Sequence, residues 1–571
     1  MQLVEIQSSP PVVHPETVRH YRRPEELPFT AAERDKVTIL IGGLTWKHEE
    51  LIRAVFENAG YRCKRLPVPM RADFEAGKQY GNNGQCNPTY FTVGCLVRHL
   101  QHLEESGLSR QQIAKDFVFF SAGSCGPCRF GMYEAEYRYA LSNAGFPEFR
   151  VLIFQQGEGI HANSGHSGLS FSLDFGLNGL NALMLGDVIS DMSYRIRPFE
   201  KNGGQTDRVV ESAISRMTSL LLSRGKSKPG PSPRNRPHSI LQDAFIGRSA
   251  IARKMAYHLY GRDLLDAIAE LREAIDAVPV DRLRVKPVVK VTGEFWAQLT
   301  EGDGNFQMFS FLEQEGAQVL VEPISTWVAY LLRLEWAMRR ERSRGRRSRS
   351  MRERIRAGAA KWREQFLFDA SQWLWARTFN RVARRAGSLT PALLDQRKLA
   401  EMAAPYFHEL AQGGEGHMEV AKSIYYTENK LCHMVLGLKP FGCMPSTQSD
   451  AVQARVVSAF PQMLYLPVET SGEGAIHAYS RVQMVLSEAR ARARAEFDKV
   501  LSETGRSMQQ LRDYVSHHPE LERPLYRFPR RPGIAGEAAQ FAWHLNTRMS
   551  HEGIRAIAQD SGEASAAEVR A

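Results

Sequence analysis

The residues with the clearest chemical potential are cysteines in three short loops. Cys86 lies in Gly84-Gln85-Cys86-Asn87-Pro88, Cys125 and Cys128 form Cys-Gly-Pro-Cys, and Cys443 lies in Pro440-Phe441-Gly442-Cys443-Met444-Pro445-Ser446. Each loop contains Gly and Pro and precedes a predicted helix: Asn87 is the expected N-cap and Pro88 the first helical residue, and a helix is expected around 447–458. At such a junction the unpaired N–H groups and the positive end of the helix dipole favour thiolate. Thiols gathered from separate loops are the usual ligand set of iron–sulfur centres. Structural zinc more often takes paired ligands from local knuckles, and only one Cys-x-x-Cys is present. A thioredoxin-like use of the CGPC motif ranks lower, because Ser124 rather than Trp precedes it and no proline follows between Gly159 and Tyr194. Of the seven cysteines, Cys63 in a strand and Cys95 on an apolar helix face read as core residues, and Cys432 could be either.

These loops need a scaffold that brings them together. Apolar Val37–Leu44, ending in Gly42-Gly43, reads as a strand, followed by a helix capped by Thr45 and stopped by Gly60, then a strand Tyr61–Leu66. The pattern recurs at Asp116–Ser121, Met132–Asn143 and Val151–Gln155. After a Pro/Gly/basic linker it returns at Lys286–Thr292, Gln318–Pro323 and Met434–Leu438. Strands alternating with helices imply α/β lobes with parallel sheets, whose strands' carboxyl ends gather functional loops. The expected organisation is an N-terminal arm (1–36), a first lobe (37–222), a linker (223–240), a second lobe (241–335 and 406–495) interrupted by a basic helical insertion (336–405), and a C-terminal extension (496–571). Glu294 and Glu469 fall at strand ends, where acids serve either as caps or as ligand-facing groups. Gly165-His166-Ser167-Gly168-Leu169 departs from a nucleophile elbow in its last residue, so His161, His166 and Ser167 read as a flexible polar loop.

Composition sets the outer bounds. The chain has 571 residues, 43% hydrophobic and 24% charged, enough for roughly two to four domains. Its net charge of +11 is concentrated: Arg339–Arg356 holds ten arginines against two glutamates, and so carries +8. The basic character therefore belongs to one segment rather than to a basic domain face. It reads as a solvated helix or loop, or as a contact surface for an acidic partner, RNA or an anionic cofactor, with nucleic acid the less expected partner. The stretch around Leu177–Ile189 is too short and polar to span a bilayer, and Met1–Pro11 lacks the pattern of a signal peptide, so a cytoplasmic location is expected.

Tyr80–Pro88 (YGNNGQCNP), Gly126–Tyr133 (GPCRFGMY), Arg197–Glu200 (RPFE), Gly293–Trp296 (GEFW), Leu312–Trp327 with its LEQEGAQV, and Lys439–Ser446 (KPFGCMPS) occur in an order that resembles a known family. They are similar to the iron–sulfur proteins related to the D component of 2-hydroxyglutaryl-CoA dehydratase and to benzoyl-CoA reductase. Within it they most resemble the acyl-CoA dehydratase activase-related (CoA-substrate-specific enzyme activase-like) subgroup. The resemblance spans most of 37–335 and 406–495. It implies two flavodoxin-like lobes facing a cleft, and a [4Fe–4S] cluster held by Cys86, Cys128 and Cys443, with Cys125 at a position that is not always cysteine. It further implies low-potential electron transfer on or for an acyl-CoA-type substrate, with an ATP-dependent activase or another electron donor as partner. Neither the activase's phosphate loops nor a GxxxxGK[ST] motif occurs, so the chain corresponds to the part without the ATPase. Two roles stay open: a dehydratase-like lyase or reductase component, or a non-catalytic scaffold or maturation partner.

Overall fold

The computed structural model describes residues 28–123, 128–155, 168–224, 250–344, 351–387, 389–411 and 414–568. Cys125, the loop carrying His161, His166 and Ser167, most of the arm and most of the linker lie outside the described residues. The protein is α/β, built on two four-stranded parallel sheets with the same strand order.

The first sheet contains β1 (Thr38–Ile41), β2 (Arg62–Arg65), β3 (Phe117–Gly123) and β4 (Arg150–Gln155) in the order β2-β1-β3-β4. Its register aligns Thr38 with both Arg62 and Phe117, and Val118 with Arg150. Around it run α1 (Trp46–Asn58), α2 (Arg71–Tyr80), α3 (Asn87–Glu105), α4 (Arg110–Asp116), α5 (Tyr133–Asn143), α6 (Leu173–Ile196) and α7 (Gln205–Ser223). The second sheet repeats the plan with β5 (Val288–Gly293), β6 (Gln318–Leu320), β7 (Met434–Pro440) and β8 (Tyr465–Thr470), ordered β6-β5-β7-β8. This strand order is consistent with flavodoxin-type doubly wound lobes. β5 and β7 are buried along their whole length, as expected for strands covered on both faces.

Strand ends are tightly packed where the functional loops begin. At Gly293 φ is +122°, and a Cβ there would sit 2.0 Å from the Leu438 carbonyl oxygen, so only glycine lets β5 turn beside β7. The RPFE and LEQEGAQV segments meet: Arg197 donates to both carboxylate oxygens of Glu313 at 3.0 Å, while Glu200 accepts from the backbone N–H groups of Gly204 and Thr206 at the start of α7.

α6, a 24-residue buried helix, links the two halves. Asn178, Asn181 and Asp187, the polar residues that break its apolar pattern in the sequence, each find a partner outside the helix. Asn181 donates to the His258 carbonyl at 2.9 Å. Asp187 accepts from the backbone N–H groups of Ile324 and Ser325 at 2.6 and 2.8 Å, capping the helix Ile324–Arg344. Among the described residues no helix is long and apolar enough to cross a membrane.

The turn from β1 into α1 gives a pH prediction. Glu49 accepts from the Leu44 N–H at 3.0 Å, and burial pushes its carboxyl from 4.5 up to about 8. Between those values the folded state keeps a proton that the unfolded chain has lost, so stability falls as pH rises from about 5 to 8, by on the order of 3 kcal/mol for this group. We expect the melting temperature to drop across that window and Glu49→Gln to flatten the slope. An unchanged slope in Glu49→Gln would show the carboxylate to be ionised throughout.

Candidate functional site

The three sequence-predicted thiols each occupy an N-cap position. Cys86 caps α3, Cys128 precedes the short 3-10 turn Arg129–Met132, and Cys443 caps the helix Met444–Ala459. One correction applies: Asn87 was the expected cap of α3, but Cys86 holds that place and Asn87 reaches across to the second half of the chain. Its N–H donates to the Phe441 carbonyl at 3.0 Å, and its side-chain amide donates to the Gly304 carbonyl at 3.1 Å and to Thr470 Oγ1 at 3.3 Å. Gly442 lies so near that a Cβ there would be 3.1 Å from the Gln85 carbonyl oxygen and 3.3 Å from Cys86 Cα. Arg129 Nε donates to the Gly442 carbonyl at 3.2 Å, tying the Cys128 segment to the same place. The Cys86, Cys128 and Cys443 loops, from both sheets, therefore meet.

The YGNNGQCNP loop is held from beneath by Glu136 of α5, which accepts from the Asn82 backbone and side chain at 2.5 and 2.9 Å and from the Gln85 amide at 3.3 Å. Cys86 Sγ lies 3.0 Å from Thr89 Oγ1 and 3.4 Å from the Tyr133 hydroxyl. Cys86 and Cys443 are buried and Cys128 is half-buried.

The expected thiolate character is reversed. Burial pushes all three thiols up, Cys128 to about 12, and hydrogen bonds from Thr89 and Tyr133 to Cys86 only partly offset this. Negative charge adds to the push: Glu294 acts on all three, and Cys86 acts on both Cys128 and Cys443. Desolvation outweighs the helix dipole here, so a nearby cation would be needed to hold these sulfurs as thiolates.

Two carboxyls share the site. Glu294, at the end of β5, accepts from the Ala297 N–H at 2.9 Å, and burial raises it to about 7. Glu415, in the turn before the helix Gly416–Glu428, is raised to about 8 by burial and by Glu294. Strand-end logic offered Glu294 and Glu469 alike, each as a cap or as a ligand-facing group; Glu415 sits in a Gly-rich turn without periodicity and gave no signal. Glu469, the other strand-end acid, is exposed on β8. Behind Glu415, the fully buried Lys422 donates to Gln298 Oε1 at 3.1 Å, and burial lowers its ammonium to about 8.

The other cysteines lie elsewhere. Cys63 is on β2 opposite Ile39, Cys95 packs inside α3 with its sulfur 3.5 Å from the Pro67 carbonyl, and Cys432 packs against Val288, Leu320 and Tyr426. Among the described residues no three His, Cys, Asp or Glu side chains stand close enough to hold a single metal ion. A cubane carries its protein sulfurs on separate iron atoms, so it suits converging but separated thiols better than one ion does. The donor set of three thiols fits such a group.

Fold and site together define an α/β protein of two parallel sheets with a buried thiol–carboxyl centre formed by segments of both. No protein-family model matches the chain, and no curated protein matches it significantly.

Proposed function

We propose that this chain is an iron–sulfur protein related to the 2-hydroxyacyl-CoA dehydratases. A [4Fe–4S] cluster would lie in the cleft between its two flavodoxin-like lobes, held by Cys86, Cys128 and Cys443, with Cys125 as a further candidate ligand. The observation that carries this reading is the meeting of three N-cap cysteines from separate loops beside two buried carboxyls. The order of the quoted motifs supplies the family. When bound, the cluster supplies low-potential one-electron transfer, on or for an acyl-CoA-type substrate.

The chain's own groups prepare the site. Glu294 and Glu415, raised to about 7 and 8, are poised near neutrality to hold or release a proton at their carboxyl oxygens. Tyr133 and Thr89 present hydroxyls to Cys86 Sγ, orienting that sulfur. Burial of Cys86 and Cys443 keeps water from those two sulfurs. The basic helix Met351–Ala386, between β6 and β7, carries none of the quoted motifs, and its inner side packs into the core of α1, α6 and α7.

The test is spectroscopic. With anaerobically purified protein, a 2-hydroxyacyl-CoA should perturb the electron paramagnetic resonance signal of the reduced cluster. A cluster signal indifferent to acyl-CoAs, together with tight binding to a protein partner, would favour a scaffold or maturation role instead.

A further inference from the structure

The helix Met351–Ala386 has two apolar sides, and only one is packed among the described residues. Its inner side is packed: Trp375, Phe379, Val382 and Ala386 join the core of α1, α6 and α7, and Phe368 stacks on Trp336 at 5.0 Å. The outer side presents Trp362, Phe366, Leu367 and Trp373, which are 71%, 58%, 59% and 61% exposed. At 3.6 residues per turn, positions 362, 366 and 373 fall within about 40° of one another and form a stripe about 16 Å long. Trp362 and Phe366 stack on each other, 5.8 Å apart. Exposed apolar stripes of this kind usually mark contact surfaces.

The stripe's surroundings indicate what covers it. Lys361, Arg363 and Arg377 are exposed on its flanks, and the Arg377 guanidinium lies 5.1 Å from the Trp373 ring. Beside Trp373, Arg377 and Arg384 line a groove of about 400 Å³ together with Asn380 and Thr390. From 339 to 385 the sequence holds sixteen basic and four acidic residues, a net of +12 in a chain whose total is +11. The rest of the protein is therefore almost neutral. Two copies facing each other through this surface would repel, so its partner must be anionic. The stripe itself is a convex ridge, and the groove beside it, about 400 Å³, is the size of a small group rather than of a peptide segment. A ridge of Trp and Phe bordered by arginines, with Leu367 exposed to one side, matches a helix lying in a lipid headgroup layer.

We propose that the outer face of the helix Met351–Ala386 seats the protein on an anionic phospholipid bilayer, lying on the surface rather than crossing it. The aromatic stripe enters the interface, and Arg377 and Arg384 take a lipid phosphate in the groove beside Trp373.

The test is sedimentation of the full chain with vesicles of three parts phosphatidylcholine to one part phosphatidylglycerol, against phosphatidylcholine alone. We expect about tenfold stronger binding to the anionic vesicles, with loss of binding at about 0.5 M salt. Trp362→Ser with Trp373→Ser, and separately Arg377→Glu with Arg384→Glu, should each weaken binding about tenfold at an unchanged melting temperature. Should either double variant unfold, Trp362→Ser alone, at the most exposed of the four positions, should still weaken binding. Equal binding to both vesicle types, no binding to either, or unweakened binding by a folded variant overturns the proposal. Binding to polyglutamate or to an RNA homopolymer without binding to anionic vesicles also overturns it, and assigns the surface to an acidic macromolecule.

Discussion

Cys86→Ala, Cys128→Ala and Cys443→Ala are each expected to abolish or severely deplete bound iron. The three sulfurs come from loops that touch through Asn87–Phe441 and Arg129–Gly442 contacts, so each loss removes one wall of the same site. Because these cysteines belong to segments of both sheets, losing one should also lower thermal stability if they bind the cluster, through the coupling of metal binding to folding. Cys63→Ala and Cys95→Ala serve as controls. Cys63 lies on β2 and Cys95 roughly two to three turns along α3 from Cys86, and both are buried. Both should keep full iron, at an ordinary packing loss of about 1 kcal/mol. Cys432→Ala should also keep iron, since that sulfur packs behind β5 and β6. Iron per chain across the series decides the matter. Full iron in Cys443→Ala together with depletion in Cys63→Ala or Cys95→Ala would contradict both the shared site and the family resemblance.

Lys290→Met should give the largest stability loss outside the site. Lys290 is fully buried in β5, donates to Glu322 Oε1 at 2.8 Å and lies 4.4 Å from the Tyr426 ring. Glu322 also accepts from the Tyr426 hydroxyl at 2.5 Å and from Thr326 at 3.1 Å. Burial works against the Glu322 carboxylate, but Lys290 and Lys422 hold it ionised, down to about 2. Removing Lys290 leaves a buried carboxylate short of its nearest cation, a loss of about 3 kcal/mol or more in urea unfolding. A loss below about 1 kcal/mol would mean that Lys422 takes over the pairing.

Much of the scaffold could be read from the chain. Continuous apolar runs closed by Gly42-Gly43, Gly60 and Gly145 mark the βαβ units, and Thr45 caps α1 where expected, accepting from the His48 N–H. α6 was missed because Asn178, Asn181 and Asp187 interrupt its apolar pattern. Their partners, His258 and the start of the helix Ile324–Arg344, are supplied only by tertiary packing. At the site, residue types and loop positions singled out Cys86, Cys125, Cys128 and Cys443, and offered Glu294 and Glu469 alike. Their protonation could not be inferred the same way, since helix-start geometry favours thiolate while the depth of burial that reverses it is a property of the folded protein. Glu415 illustrates the same limit: nothing in Gly413-Gly414-Glu415-Gly416 distinguishes it from a surface acid until the fold buries it beside Glu294.

The most direct test of the central claim is the iron and acid-labile sulfide content of the wild-type chain after anaerobic purification. The account predicts about four iron and about four sulfide per chain, and a paramagnetic signal on reduction. Protein that is folded yet binds neither iron nor sulfide, even after reconstitution with ferrous iron and sulfide under reducing conditions, would contradict it.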